Sequence, residues 1–270
     1  MLAAYHTIRY ERNGHIGTLT LARPEKRNAQ NPLMWEELAA LGRDLLEDES
    51  LRCLVVVGEG PVFSAGIDLV EGLSGFVAEL AERPREHAAL ERGFNAATTF
   101  TWIPQLGCPS VAAVQGHAYG AGLQLALSCD FRVFAEGAQV GLIETRFGIL
   151  PDMGATVRLP RIVGESRARE LILLGDVIDA SEALRIGMAN RVVKEGELLS
   201  ATADLATRLA SQPPLAIRGA RRALDASWYS DPETSVKVAV DAQIGCLRSD
   251  DFKGALVAMN EGRTPEWHGR

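Results

Sequence analysis

Cysteine is scarce in this chain and widely scattered. Cys53, Cys108, Cys129 and Cys246 form no C-x-x-C pair, which leaves neither a disulfide framework nor a thiolate metal cluster to organise the fold. The five histidines, at 6, 15, 87, 117 and 268, show no metal-ligand spacing. No apolar run approaches the roughly 18 residues of a membrane span. The N-terminal MLAAYHTIRYERNGHIG carries charges where a secretion signal needs a continuous apolar stretch. Basic residues are outnumbered, 28 Lys and Arg against 35 Asp and Glu, for a net charge of −7. That balance argues against a general binder of nucleic acid or anionic membrane. There is no G-x-x-x-x-G-K-[ST], and GHAYGAG lacks the spacing of a dinucleotide fingerprint. Ser64 in VFSAG is not a nucleophile elbow, because G-x-S-x-G is absent. No internal repeat or low-complexity segment is evident. These absences lead to the expectation of a soluble cytoplasmic protein without a metal.

What remains is ample for a globular core: 270 residues, 47% hydrophobic. IGTLTLARP (16–24) begins with strand-like alternation, and PLMWEELAALGRDLLED (32–48) has helical spacing with Pro32 suited to a first turn. RCLVVVG (52–58) and PSVAAVQG (109–116) are short β-branched or small apolar runs, the mark of strands buried on both faces. SAGIDL is expected to begin a helix, residues 71–90 an excursion over the surface, and residues 91–106 a further helix. AGLQLALSCD (121–130) reads as a helix, followed by strands FRVFAE and AQVGL. Strand, helix, strand with little alternation predicts parallel pairing. From residue 164 every segment reads as helical, which suggests a β-rich body over 1–199 and a helical part over 200–270.

Two turns share one form. GEGPVFSAGIDL and VQGHAYGAGLQL each run from a buried strand through small residues to an expected helix start. Small residues let a ligand approach the main chain, and the first N–H groups of a helix have no partner within it. Two such ends facing each other could hold a developing oxyanion. His117, in the second turn, is expected to pack or cap there.

VFSAGIDL, then QGHAYGAGLQLALSCDFRVFAEGAQVGLIETRFGILPDMGATVRLPRIVG, then ASEALRIGMANRVV resemble the crotonase (enoyl-CoA hydratase/isomerase) superfamily, in order and from about residue 14 to the end. The resemblance implies an α/β fold, a spiral of ββα units with a helical C-terminal region used in trimer formation. It implies an acyl-CoA thioester substrate, no cofactor beyond the coenzyme A of that substrate, and a homotrimer or dimer of trimers. It places the oxyanion hole at the backbone N–H groups of Ala65 and Ala121. Lys26 and Arg27 become candidates for the coenzyme A phosphates, and Asp68 lies where the family holds the adenine end. Ala29, Ser64, Gly66, Ile67 and Gly120 complete the candidate contacts, and Arg263 is expected to reach a neighbouring subunit's ligand.

The resemblance also gives meaning to the acids of GLIETRFGILPDMGA (141–155). Its catalytic points match Gln124, Glu144 and Asp152. Hydratases of the family have glutamate at the place of Gln124, and a glutamine cannot exchange a proton near neutral pH. Glu144 is left as principal base and Asp152 as a second acid, both expected in a dry pocket that raises their pKa values. The reading is a double-bond isomerase. The alternatives are hydration by Glu144 with a water held on Gln124, thioester or carbon–carbon hydrolysis, and a non-catalytic acyl-CoA-binding relative.

Overall fold

In this computed structural model, residues 5–72, 100 and 102–270 are described. The chain opens with a hairpin that the periodicity did not announce. Strands β1 (Ile8–Asn13) and β2 (Ile16–Leu21) pair antiparallel, joined by a two-residue loop whose Gly14 has φ +57°, a conformation open to glycine without cost. Helix α1 (Pro32–Leu46) starts as its sequence predicts: Pro32 takes the first position, and the Asn31 side chain accepts from the Met34 N–H.

Strands β3 (Cys53–Gly58) and β4 (Ser110–Val114) follow, separated from one another by the short helix α2 (Trp102–Gln105). Then come β5 (His117–Tyr119), α3 (Ala121–Ser128), β6 (Phe131–Ala135) and β7 (Gln139–Gly141). Beyond them lie α4 (Ala155–Val163), α5 (Glu165–Leu174), β8 (Val177–Asp179), α6 (Ala180–Arg185) and β9 (Arg191–Val193). The expectation of helix alone beyond residue 164 therefore fails at β8 and β9. Three-residue strands are too short to display alternation, and pairing with β7 and β6 defines them.

A six-stranded sheet runs β1-β2-β3-β4-β6-β9, and a three-stranded sheet runs β5-β7-β8. The pairs β2–β3, β3–β4 and β4–β6 are parallel. Both faces of the large sheet are covered. Leu54, Val56, Ala112, Val114 and Phe134 join one apolar cluster with α1 and α3. Their alternating neighbours Cys53, Val55, Val111, Ala113, Val133 and Ala135 join another. That second face is closed by helix α7 (Leu198–Ala210), through Leu198, Leu205, Ala206 and Ala210. Double burial explains the near-continuous apolar runs. A division near residue 200 thus falls inside a core helix.

The helices that leave the body are α8 (Pro214–Tyr229), α9 (Pro232–Arg248) and α10 (Asp250–Glu261). α8 and α9 have no buried residue, and exposed Leu224, Trp228, Val236, Val240, Ile244, Leu256, Val257 and Met259 lie along the three. The final residues return onto α10, where the buried Asp251 carboxylate accepts from the N–H groups of His268 and Gly269. No helix among the described residues is long and apolar enough to cross a membrane. The expected excursion over 71–90 and most of the helix expected over 91–106 lie outside the described residues.

Candidate active site

The small sheet builds the site. β5 feeds Gly120 and the start of α3, and its parallel neighbour β7 feeds the tight turn Glu144–Phe147. Gly120 adopts φ +49°, ψ −121°, and a Cβ there would meet Glu144 Oε1 at 3.4 Å. Glycine at this point lets the carboxyl lie against the helix start.

Glu144 is 6% exposed and Gln124 2%. Gln124 Nε2 donates to Glu144 Oε1 at 2.8 Å, while Gln124 Oε1 accepts from the Met153 N–H at 2.8 Å and the Ala155 N–H at 3.3 Å. Glu144 Oε2 is buried and has no partner among the described residues. Burial pushes the Glu144 pKa up, the Gln124 bond opposes that shift, and the charge of Asp152 adds to it. Desolvation raises Asp152 as well. Yet Asp152 is exposed, so only one of the two acids occupies the dry position expected for both. The structure brings Gln124, Glu144 and Asp152 together in one corner, with Glu144 behind and Asp152 at the open side.

SAGIDL does not begin a helix. Ser64 and Ile67 form single parallel bridges, to Ala118 and Gln30, so the segment is threaded as an extended chain between β5 and the 27–31 loop. The consequence falls on the first oxyanion donor. The Ala65 N–H donates to the Arg27 carbonyl at 2.9 Å and is already used. The Ile67 N–H has no acceptor among the described residues, and the same holds for the Ala121 N–H. Asp68 N–H donates to the Gln30 carbonyl, so the preceding Ile67 N–H faces the other way, the side of Tyr119–Ala121. Gly66, at φ +95°, makes this approach possible: a Cβ there would lie 2.7 Å from the Tyr119 carbonyl oxygen and 3.6 Å from the Ala121 nitrogen. Ala65 is therefore replaced by Ile67 as the available donor. The signal was the glycine itself, since the phase of the N–H groups shifts across a residue of positive φ.

Other expected contacts divide. Lys26 and Arg27 are exposed at the end of a tight turn over Pro24–Lys26, with Arg27 and Asn28 both left-handed at φ 52° and 51°. The buried Asn28 side chain enforces that turn: its Oδ1 accepts from Arg23 N–H, and its Nδ2 donates to the carbonyls of Glu59 and Val62. Ala29 is half-buried, and its carbonyl accepts from Arg23. Ser64 is fully buried and its hydroxyl donates to the Asn28 carbonyl, so it holds the loop and does not face a ligand. The Asp68 carboxylate is likewise taken, by Arg23 at 3.0 Å and by the N–H groups of Val70 and Glu71. Burial alone would raise the Asp68 carboxyl, but the Glu71 N–H, Arg23 and the Val70 N–H together hold it below its ordinary value. Arg23, absent from the sequence reading, also pairs with Glu71 at 2.9 Å. His117 stacks on Tyr119 at 4.8 Å, and burial together with the nearby Arg27 charge lowers its pKa. Arg263 is exposed and paired with Glu261, and no described contact brings it to this corner. Among the described residues no group of three His, Cys, Asp or Glu side chains could hold a metal ion.

The arrangement suits proton transfer beside a carbonyl: two N–H groups without an acceptor among the described residues, available to an oxyanion, and one buried carboxyl oxygen for a proton. Comparison with known proteins agrees. The family model described as enoyl-CoA hydratase/isomerase matches residues 11–270. The chain is 34% identical to the crotonyl-CoA hydratase of Syntrophomonas wolfei, over 96% of this chain and 97% of that one. It is 34% identical to the carnitinyl-CoA dehydratase of Escherichia coli O157:H7, over 98% and 99% of the two chains. A solved structure of a putative enoyl-CoA hydratase from Streptomyces coelicolor superposes with a TM-score of 0.90 at 32% identity, covering 99% of this chain and 96% of that one. With its crotonase fold and this matched length, the chain belongs to the enoyl-CoA hydratase/isomerase family.

Proposed function

We propose that this enzyme moves the carbon–carbon double bond of an enoyl-CoA thioester, with Glu144 as principal base and Asp152 as second acid/base. The observation that carries the reading is the state of Gln124. Hydration by an acid pair of the kind the family's hydratases use needs an exchangeable carboxyl at position 124, and this position offers an amide whose oxygen is engaged by two backbone N–H groups. In the reaction, ionised Glu144 takes a proton from C2 of a 3-enoyl thioester. The electron pair spreads over the dienolate, with charge on the thioester oxygen held by the Ile67 and Ala121 N–H groups. Glu144 then returns the proton to C4, leaving the 2-enoyl product. Asp152, at the open side, serves substrates whose proton must travel beyond C4. Lys26 and Arg27 meet the coenzyme A phosphates from the exposed turn, with Gly66, Ile67 and Gly120 lining the thioester through their backbone. The exposed apolar faces of α8–α10 pack in a homotrimer or a dimer of trimers, and the protein works in the cytoplasm.

Hydration is the second reading, favoured by relatives named as a hydratase and a dehydratase. The test is a panel of 3-enoyl and 2-enoyl thioesters of several lengths, followed by NMR for double-bond migration and for 3-hydroxyacyl product. Migration faster than hydration, with about 10² to 10⁴ of rate lost in Glu144→Gln at unchanged thioester affinity, is expected. Rapid hydration without migration would replace the first reading by the second.

A further inference from the structure

Gln124 lies in the first turn of α3 with all of its carboxamide used in one direction. Two backbone N–H groups, of Met153 and Ala155, point at one of its end atoms. Only the carbonyl oxygen can accept from both, so the amide orientation is forced. The amino group must then face Glu144, where it finds Oε1 at 2.8 Å. One carboxamide therefore joins three things: the first turn of α3, the stretch from Met153 to the first residue of α4, and one oxygen of the buried base. The other oxygen, Oε2, is left without a partner among the described residues.

We propose that Gln124 is a positioning residue that selects Oε2 of Glu144 as the proton-carrying atom and, through its amide donor, favours the ionised form of that carboxyl. This rests on the reading of Glu144 as proton carrier. A donor amide at 2.8 Å favours the carboxylate, in line with the lowering influence of this bond on Glu144. Glutamate at 124 would satisfy the same two N–H groups but set a second carboxyl against the first, and such a pair shares one proton. The residue type at 124 thus decides whether Oε1 of Glu144 faces a neutral donor or a second carboxyl at hydrogen-bond distance.

The test is an infrared titration of the carboxylic-acid stretch, with the Glu144 band assigned by its loss in Glu144→Gln. It needs no turnover. Gln124→Met removes the donor at similar length, and Gln124→Glu keeps the acceptor for both N–H groups. The expected result is a Glu144 midpoint at higher pH in Gln124→Met, and two coupled steps in Gln124→Glu with the upper one above the parent midpoint. If Gln124→Met does not fold, Gln124→Glu decides alone, because a carboxylate oxygen still accepts from the N–H groups of Met153 and Ala155. An unchanged Glu144 midpoint in the folded variants overturns the proposal. Full turnover in Glu144→Gln would instead overturn the proton-carrier reading, so the two failures are separable.

Discussion

The Ala65 N–H donates to the carbonyl of Arg27 at 2.9 Å, across two loops that lie 38 positions apart in sequence. That bond is held from behind by the buried Asn28 side chain, whose three hydrogen bonds keep Arg27 and Asn28 left-handed. The next N–H aimed at the α3 side is that of Ile67. Replacing the Ile67 amide by an ester, through incorporation of the α-hydroxy acid, is expected to cost about 10² to 10³ in kcat. The same replacement at Ala65 is expected to leave kcat unchanged and to lower stability by about 1 kcal/mol. Steady-state kinetics and chemical denaturation on the two esters check this; the opposite pattern returns the donor to Ala65.

Glu144 and Asp152 should make the protein less stable as they ionise. Both carboxyls titrate above their ordinary values, chiefly through desolvation. A raised pKa in the folded state means that the folded protein holds more protons than the unfolded one between the two values, so stability falls as pH rises through that window. Below the unfolded values both states are protonated and the penalty is absent. Glu144→Gln is therefore expected to melt at a higher temperature than the parent at pH 7 to 8, with the gain fading in the acid range. Thermal melts across pH give the answer, and a gain that persists unchanged below the ordinary carboxyl range would contradict the cause named here.

Arg23 and Asp68 form a buried pair, with side chains 10% and 8% exposed. Removing one member strands the other charge, so Arg23→Ala is expected to lose about 3–5 kcal/mol. Arg23→Met with Asp68→Asn should recover part of that loss, since no uncompensated charge remains. Urea denaturation of the single and double variants measures the coupling. The loop carrying Ile67 hangs on this pair, so activity in Arg23→Ala should fall as well.

The exposed apolar side chains of α8–α10 are expected to be covered by further copies of the chain. A trimer or a dimer of trimers should appear by light scattering at micromolar concentration. Leu224→Glu and Trp228→Glu, both at exposed positions, should reduce the assembled mass if these helices form the interface. A parent protein that scatters as a monomer would remove the assembly reading.

Much of the architecture was legible in the residues themselves. The doubly buried strands at 53–58 and 110–114 announced a covered parallel sheet, because burial on both faces erases alternation. α1 carried its own start signal in Pro32. The family resemblance carried by the motifs from VFSAG to ILPDMG implied Gln124, Glu144 and Asp152 as the catalytic points. The strand runs and the helix start are local properties, because propensity and capping act within a few residues.

Tertiary structure decided the rest, for reasons that spacing cannot carry. Whether an N–H is free depends on which distant carbonyl meets it, so Ala65 and Ile67 could be told apart only once Arg27 and Gln30 lay beside them. Which acid is dry depends on what is packed around it, and that placed Glu144 inside and Asp152 at the surface. Strands of three residues exist only through their partners, as β8 does on β7. Gln124 is the clearest case. Its residue type excluded a second acid, but its orientation was set by the N–H groups of Met153 and Ala155, 29 and 31 positions further along the chain. A hydrogen bond of that range is a property of the packed chain, because only folding brings its two ends within 3 Å or so of one another.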